Sequence, residues 1–512
     1  MKLTTGAKFA LIFLGIALLG FGISKFKPEL FSGKKSSDSK SEKSGGWFSG
    51  SKSSDADLTL AINTWSGFAP IVWINGGLEP NENSELYKKY GIKLRIKIID
   101  VFDDCRNTFK SGEADLAYCT ADVLPIEMGT SSAMTEVGAE LFMQVDWSRG
   151  GDGIVVVKSI KTVADLKGKT ISVAEGTASH SLLIKVLESN GLSMSDVNIK
   201  KVADGIESAK LFKAGAVDAA VVWSPDDLDC VAAINGSKVL VNTKIASYII
   251  ADGILAKKEY IDSNKELLVK FATAWFEANA KVNSSTQAKD EAAQAFATAF
   301  NVDKGFALNG INNVRLTTLG DNKNFFGLNP SYTNMTGEQL YSKMSIVYGE
   351  LGLAKNTVAW RTVSNTTIIE AVTLTEGQDA EGAVKFTPVT EEVKTKAEFS
   401  NKQISINFTT NSSILSDDAK TIIDREFVNI AKTFSNARIR IEGNSDAVGS
   451  DAINKPLSYK RAQAVADYLI KEYKFDNNRF IIIGNGSKKA KENGVLGDSE
   501  LYRRTDFQLI EN

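Results

Sequence analysis

"FKSGEADLAYCTAD" (residues 109–122) and "FKAGAVDAAVVWSPDD" (residues 212–227) share an FK-x-G-x-x-D core, followed by a small or apolar run and an acidic loop. Each copy has a glycine able to end a helix, then a run able to form a strand. The repetition predicts two similar lobes. From Leu58 to about Ala256, the runs "LTLAINTW", "IKLRIKIID", "GIVVVK", "TISVAEG" and "VDAAVVW" alternate with helical stretches. The helical stretches are 104–112, 178–190, 205–214 and an amphipathic pair at 257–300. This alternation predicts a two-lobed α/β domain with mostly parallel sheets over 58–372, lobe 2 spanning about 150–245. Ligands of such sheets bind at the carboxyl ends of the strands. Asp115 and Asp218 recur after the glycines, and turn capping suits them better than catalysis. Residues 301–395 are less regular, with helix expected at 337–353, and the acidic, Thr-rich stretch 373–398 reads as a linker.

Residues 399–512 read as a compact α+β unit. The order is strand ("QISINF"), helix (416–434), strand ("ARIRIEG"), helix (459–472), strand ("RFIIIGNG"), loop and strand ("TDFQLI"). Within "GNSDAVGSDAINKPLSYKRAQAVADYL" (443–469), Ser458 suits a helix N-cap, and Ala462, Val465, Ala466 and Leu469 form a stripe at helical spacing. Arg461 falls at the edge of that stripe. Free amides at the helix start and the guanidinium together predict an anion site. Asp446, in the loop before it, offers the opposite charge to an ammonium. Such a pair would recognise a zwitterion; the plain alternative is a surface ion pair contributing little.

Composition excludes several classes of function. A net charge of −2 and a pI near 5.9 give no basic footprint, so nucleic acid is not an expected partner. Cys105, Cys119 and Cys230 lack zinc-type spacing, and one histidine, His180, excludes a histidine-rich metal centre. Ser179 and His180 are adjacent and would not face each other on a helix, so no nucleophile–base pair is read there. No catalytic residue, metal or cofactor is expected, and His180 reads as a structural or surface residue.

The N-terminal "MKLTTGAKFALIFLGIALLGFGISKFK" carries Lys2 and Lys8, then an uncharged run from Phe9 to Ile23. Residues 1–30 read as an apolar helix, either an uncleaved inner-membrane anchor or a cleaved secretory signal. Either reading exports the chain. The Ser-, Lys- and Gly-rich stretch 31–57 cannot bury enough apolar surface to fold, and is expected to be a flexible tether.

Two resemblances extend these readings. "IEGNSDAVGSDAINKPLSYKRAQAVADYL", with "INFTTNSSILSDDA" before it and "YRRTDFQL" after it, resembles the OmpA C-terminal peptidoglycan-binding domain. The family pattern G-H-T-D, N-x-x-L-S-x-x-R-A, N-R-R appears as Gly443-Asn444-Ser445-Asp446, then Asn454 through Leu457, Ser458 and Arg461 to Ala462, then Tyr502-Arg503-Arg504. The resemblance implies that Asp446 and Arg461 grip the ammonium and carboxylate of diaminopimelate in the peptide stem. It implies that Asn454 and Leu457 shape the loop, with Arg504 from the final pair. The lost His, Thr and Asn bear on specificity.

The α/β region resembles solute-binding proteins of the nitrate/sulfonate/taurine type, partners of ABC importers. The resemblance rests on "INTWSGFAPIVWINGG", "SGEADLA", "DWSRGGDGIVV", "EGTASHSLLIKVLESNGL" and "AGAVDAAVVWSPD". It implies a periplasmic-binding-protein-like, type II fold closing over a small anion or zwitterion delivered to an ABC permease. Trp65, Gly67 and Phe68 would line the cleft from the first lobe. Gly176, Thr177 and Ser179 would cradle the anion, with Trp223 and Asp226 facing them. The residues alone leave Trp65 and Trp223 open as core aromatics. Together these expectations describe a periplasmic solute receptor tethered to the inner membrane and bound to the wall. The rival is an envelope scaffold whose α/β domain contacts another protein.

Overall fold

The computed structural model describes residues 55–129, 132–406, 408–409 and 411–512. The apolar leader and most of the expected tether lie outside these residues. No helix among the described residues is long and apolar enough to cross a membrane.

The described strands form three sheets. The first holds β1 (Leu58–Ile62), β2 (Leu94–Ile98), β3 (Leu116–Thr120), β4 (Ala139–Ser148), β10 (Ala251–Lys257) and β11 (Val314–Leu316), in the order β11-β4-β10-β3-β1-β2. The second holds β5 (Asp152–Val156), β6 (Thr170–Ala174), β7 (Asn198–Val202), β8 (Ala219–Trp223) and β9 (Lys238–Asn242), in the order β7-β6-β8-β5-β9. The chain passes from lobe 1 to lobe 2 between β4 and β5, and returns between β9 and β10. The sheets are more mixed than the alternation predicted. β1 pairs in parallel with β2 and β3, and β6 with β7 and β8, but every pair involving β4, β5 or β10 is antiparallel. Those strands enter their sheets from the crossovers and not from a strand–helix–strand unit, so no right-handed crossover forces them parallel.

The repeated motif does the same job twice. Gly112 (φ 81°) follows the helix Phe102–Ser111, and Gly215 (φ 69°) follows Gly205–Lys213. Asp115 Oδ2 then accepts the Thr59 amide at 3.0 Å, and Asp218 Oδ2 accepts the Thr170 amide at 2.9 Å. Each carboxylate thus ties the start of the neighbouring parallel strand, a longer-range role than capping its own turn.

The pair expected at 257–300 resolves into Lys258–Ser263, Lys265–Ser284 and Thr286–Phe300. Ser285 accepts the Ala288 amide at 3.2 Å and starts the last of them.

The third sheet, β12 (Glu398–Ile404), β13 (Ala437–Asn444), β14 (Phe480–Gly486) and β15 (Thr505–Glu511), has the order β12-β15-β13-β14. Its long helix runs from Asp451 to Tyr473, starting eight residues earlier than an N-cap at Ser458 predicts, with Ser450 at the N-cap position. Pro456 lies inside it. Ser458 is therefore interior: its hydroxyl donates to Lys455 O at 2.9 Å and accepts the Gly486 amide at 2.9 Å, pinning the helix to β14. The stripe Ala462, Val465, Ala466 and Leu469 is buried as its spacing predicted.

This unit does not stand apart from lobe 2. Leu182, Leu183, Val186, Ile249 and Ile250 of lobe 2 share one apolar core with Phe399, Ile423, Phe427, Ile439 and Leu469. Ser189 and Ser400 hydroxyls meet at 2.8 Å, and Asn190 Oδ1 accepts the Asn401 amide at 2.8 Å.

Candidate functional site

Two places collect the residues singled out by the sequence. The first lies where β13 runs out and the long helix crosses it. Asp446 follows β13 and is almost fully buried; Oδ1 accepts the Val448 amide at 3.1 Å, and Oδ2 accepts Arg503 Nη1 at 2.6 Å. Asn454 Nδ2 donates to Val448 O at 2.8 Å and so holds the loop around Asp446, while Leu457 is half-buried beside it in sequence. Arg461 is half-buried on the helix, with Nε donating to Ser412 O at 3.0 Å and the guanidinium 5.0 Å above the Phe408 ring. Burial draws its pKa down, Asp446 pulls it up and Arg503 pushes it down again, so three charges act on one space. Among the described residues no ion pair joins Arg461 to Asp446.

Two expectations about this place need correcting. Arg461 sits in the third turn of its helix, so the free amides and the dipole of the N-terminus are not beside it. Arg503, and not Arg504, is the arginine of the final pair that meets Asp446. Arg504 turns back to the sheet, donating to Asp506 Oδ1 at 2.8 Å and to Leu501 O at 2.8 Å.

The second place is the cleft between the lobes. Trp65 Nε1 donates to Asp146 Oδ2 at 3.1 Å, and a Cβ on Gly67 would fall 1.7 Å from that oxygen, so only glycine fits there. Phe68 does not line the cleft: it is fully buried, edge-on to Tyr118 and Trp275 at 6.2 Å each. The expected anion cradle is occupied by its own chain. The Gly176 amide donates to His180 Nδ1 at 3.2 Å, the Thr177 hydroxyl to Ala174 O at 2.8 Å, and Trp223 Nε1 to Ser179 Oγ at 3.1 Å. Trp223 and Ser179 thus belong to the same wall and do not face each other. His180 is buried, and burial holds its pKa down at about 4, so it is a neutral acceptor that shapes the loop. Asp226 is surrounded by Lys213, Asp229, Asp204 and Lys210 of its own lobe, whereas Asp227 is the one whose charge reaches Asp152.

Sequence reasoning missed the acids buried where the two lobes meet. Asp122, Asp146, Asp152 and Asp252 are 0%, 0%, 4% and 6% exposed. They come from the end of β3, from β4, from the start of β5 and from β10. Burial, the largest cause, pushes Asp122, Asp146 and Asp152 up to about 7, and Asp252 is raised well above the carboxylate range by burial and by Asp146. The available signal was a carboxylate set inside apolar strand sequence, as in "YCTAD", "MQVDW" and "ADGIL".

The family described as NMT1/THI5 like matches residues 87–283, and the OmpA family matches residues 407–503. The chain joins an NMT1/THI5-like domain to an OmpA-family domain. Outer membrane porin F of Pseudomonas aeruginosa is 28% identical over 114 residues, 22% of this chain and 32% of the porin. A Brucella abortus protein described as a candidate binding protein is 36% identical over 140 residues, 27% of this chain and 41% of its own length. The chain therefore spans about a third of the one and two fifths of the other. The crystal structure of the periplasmic aliphatic sulphonate binding protein SsuA from Escherichia coli has a TM-score of 0.47 and 19% identity, covering 60% of this chain and 96% of that one. The Asp446–Arg461 space lies in the OmpA-family domain and the acidic cleft in the NMT1/THI5-like part.

Proposed function

We propose that the chain is an exported solute receptor held at the cell wall. The two-lobed domain captures a small solute for an ABC importer, and the OmpA-family domain grips the diaminopimelate of peptidoglycan. Neither act makes or breaks a covalent bond. In the wall site, Asp446 takes the ammonium, while Arg461, with Arg503 beside it, takes the carboxylate. The observation carrying this reading is that Asp446 and Arg461 act electrostatically on one another without pairing, across a space that a third charge also borders. Asp446 is closed on Arg503 and not on Arg461, so an ammonium that enters at Asp446 takes the place of Arg503, which then joins Arg461 on the carboxylate. Membrane attachment through the N-terminal apolar run and residence in the periplasm belong to the same proposal.

The test is sedimentation of the purified chain with sacculi. The parent chain is expected in the pellet, and Asp446→Ala and Arg461→Ala in the supernatant. If both variants pellet like the parent, the wall site is elsewhere.

A further inference from the structure

The cleft acids stand in register. Asp252 on β10 lies opposite Thr120 on β3 and opposite Asp146 on β4, and Asp152 on β5 lies opposite Trp223 on β8. Directly opposed residues of antiparallel strands share a face about 4.5–5.5 Å apart. Thr120, Asp252 and Asp146 therefore form one row on lobe 1, and Asp152, with Asp227 behind it, faces the row from lobe 2. Asp122 closes the end of the row, near Ser181, whose hydroxyl is engaged with Tyr348 Oη at 2.7 Å.

Several buried oxygens here have no hydrogen-bond partner among the described residues. They are Thr120 Oγ1, Asp146 Oδ1 and Asp227 Oδ1, while Asp122 leans on the Ser181 hydroxyl and the Asp146 and Asp252 carboxyls also engage each other. Thr120 is the independent member of this set: it is not an acid, it is only 6% exposed, and it stands directly beside Asp252. All of these oxygens can accept a hydrogen bond, and a buried acceptor left unsatisfied is costly. The cation acting on Asp146 is Arg149, which meets Glu381 at 2.9 Å, lies 4.4 Å over the Tyr248 ring and keeps a buried Nη1 without a hydrogen-bond partner among the described residues. A ligand that completes the site must bring both positive charge and N–H donors. A bare metal ion fits less well, since no three carboxylates, thiols or imidazoles among the described residues converge as ligands. The indole of Trp65 beside Asp146 and that of Trp223 opposite Asp152 add flat apolar walls, which suit a carbon skeleton and the face of a cation.

We propose that the solute held between the lobes is an organic cation bearing N–H groups, a primary amine, diamine or guanidinium compound, with Asp146 and Asp252 as its charge partners. This rests on reading the two-lobed domain as a solute receptor, and it departs from the small anion or zwitterion that the resemblance implied. Binding shifts the row of acids to their ionised forms, so protons leave as the amine enters.

The test uses the full chain at about pH 7.5, titrated calorimetrically with ethylamine, putrescine, spermidine and agmatine, and in parallel with tetramethylammonium, sulfate, methanesulfonate and nitrate. An N–H-bearing cation is expected to bind saturably, with proton release seen as a buffer-dependent enthalpy. Tetramethylammonium, which has the charge but no donor, is expected to bind at least about tenfold more weakly. Asp252→Asn and Asp146→Asn are each expected to lose about tenfold for the amine. Binding of sulfate, methanesulfonate or nitrate without any amine overturns the cation and leaves the receptor standing. Binding of no probe in either set overturns both, and returns the scaffold. Amine binding unchanged in both Asn variants also overturns the proposal.

Discussion

A carboxylate removed from water is costly as an anion unless donors or a cation replace its hydration. Asp122, Asp146 and Asp152 carry that cost, and their pKa values near 7 express it. The facing groups are Ser181 and Tyr348 near Asp122; Asp252, Trp65 and Arg149 around Asp146; and Ser148 and Asp227 around Asp152. Because the folded pKa values exceed the unfolded ones, the stability these groups contribute is present at low pH and is lost as pH rises through about 7. His180 acts oppositely, but only between about 4 and 6.5, where the folded state is the less protonated one. From about pH 6.5 to 8 the Tm of the ligand-free chain is therefore expected to fall, and Asp146→Asn should flatten that fall; a Tm that rises over this window contradicts the assignment. These acids were legible as charges inside apolar strands. Their convergence was not, because it depends on the register of β10 against both β3 and β4, which no local pattern fixes.

At the scale of elements, the repeated FK-x-G-x-x-D unit was the most legible feature, since a helix-ending glycine and a strand-tying aspartate each have a local physical cause. The long helix of the OmpA-family domain was half legible. Its apolar stripe announced itself, but its start did not, because Pro456 looks like a terminator and Ser458 like a cap. The glycines of the strands beneath decide the matter. A Cβ on Gly443 would lie 2.1 Å from Ser458 O, and one on Gly484 would lie 2.6 Å from Lys455 O and from Tyr459 N. The first turns of the helix thus lie directly on the sheet, which places Arg461 beside the β13 loop and Asp446. Gly484→Ala is expected to lift this segment, costing about 1–3 kcal/mol in a urea titration and weakening pelleting with sacculi. An unchanged midpoint with full pelleting would contradict this close packing.

Across the whole described molecule, the OmpA-family domain is fastened to lobe 2 by a shared core, and to both lobes by the segment that leads into it. Gln378 O accepts the Gly320 amide at 2.7 Å and Asp379 O accepts the Thr318 hydroxyl at 2.9 Å on lobe 1. Glu381 meets Arg149 at the crossover, and Thr387 Oγ1 accepts Arg438 Nη2 at 2.8 Å in the OmpA-family domain. Any change of angle between the lobes is then a change between lobe 1 and the wall-gripping unit. Nothing local in the sequence signalled this, since the joining apolar residues read as each unit's own core and the polar ones as ordinary loop. The most direct measurement is the affinity of the full chain for a stem peptide containing diaminopimelate against one in which lysine takes its place. Lysine keeps the ammonium and lacks the second carboxylate. Binding of the first, weakened at least about tenfold in the second, is the expected result for Asp446 and Arg461 holding opposite poles. Equal affinity for the two peptides would contradict it.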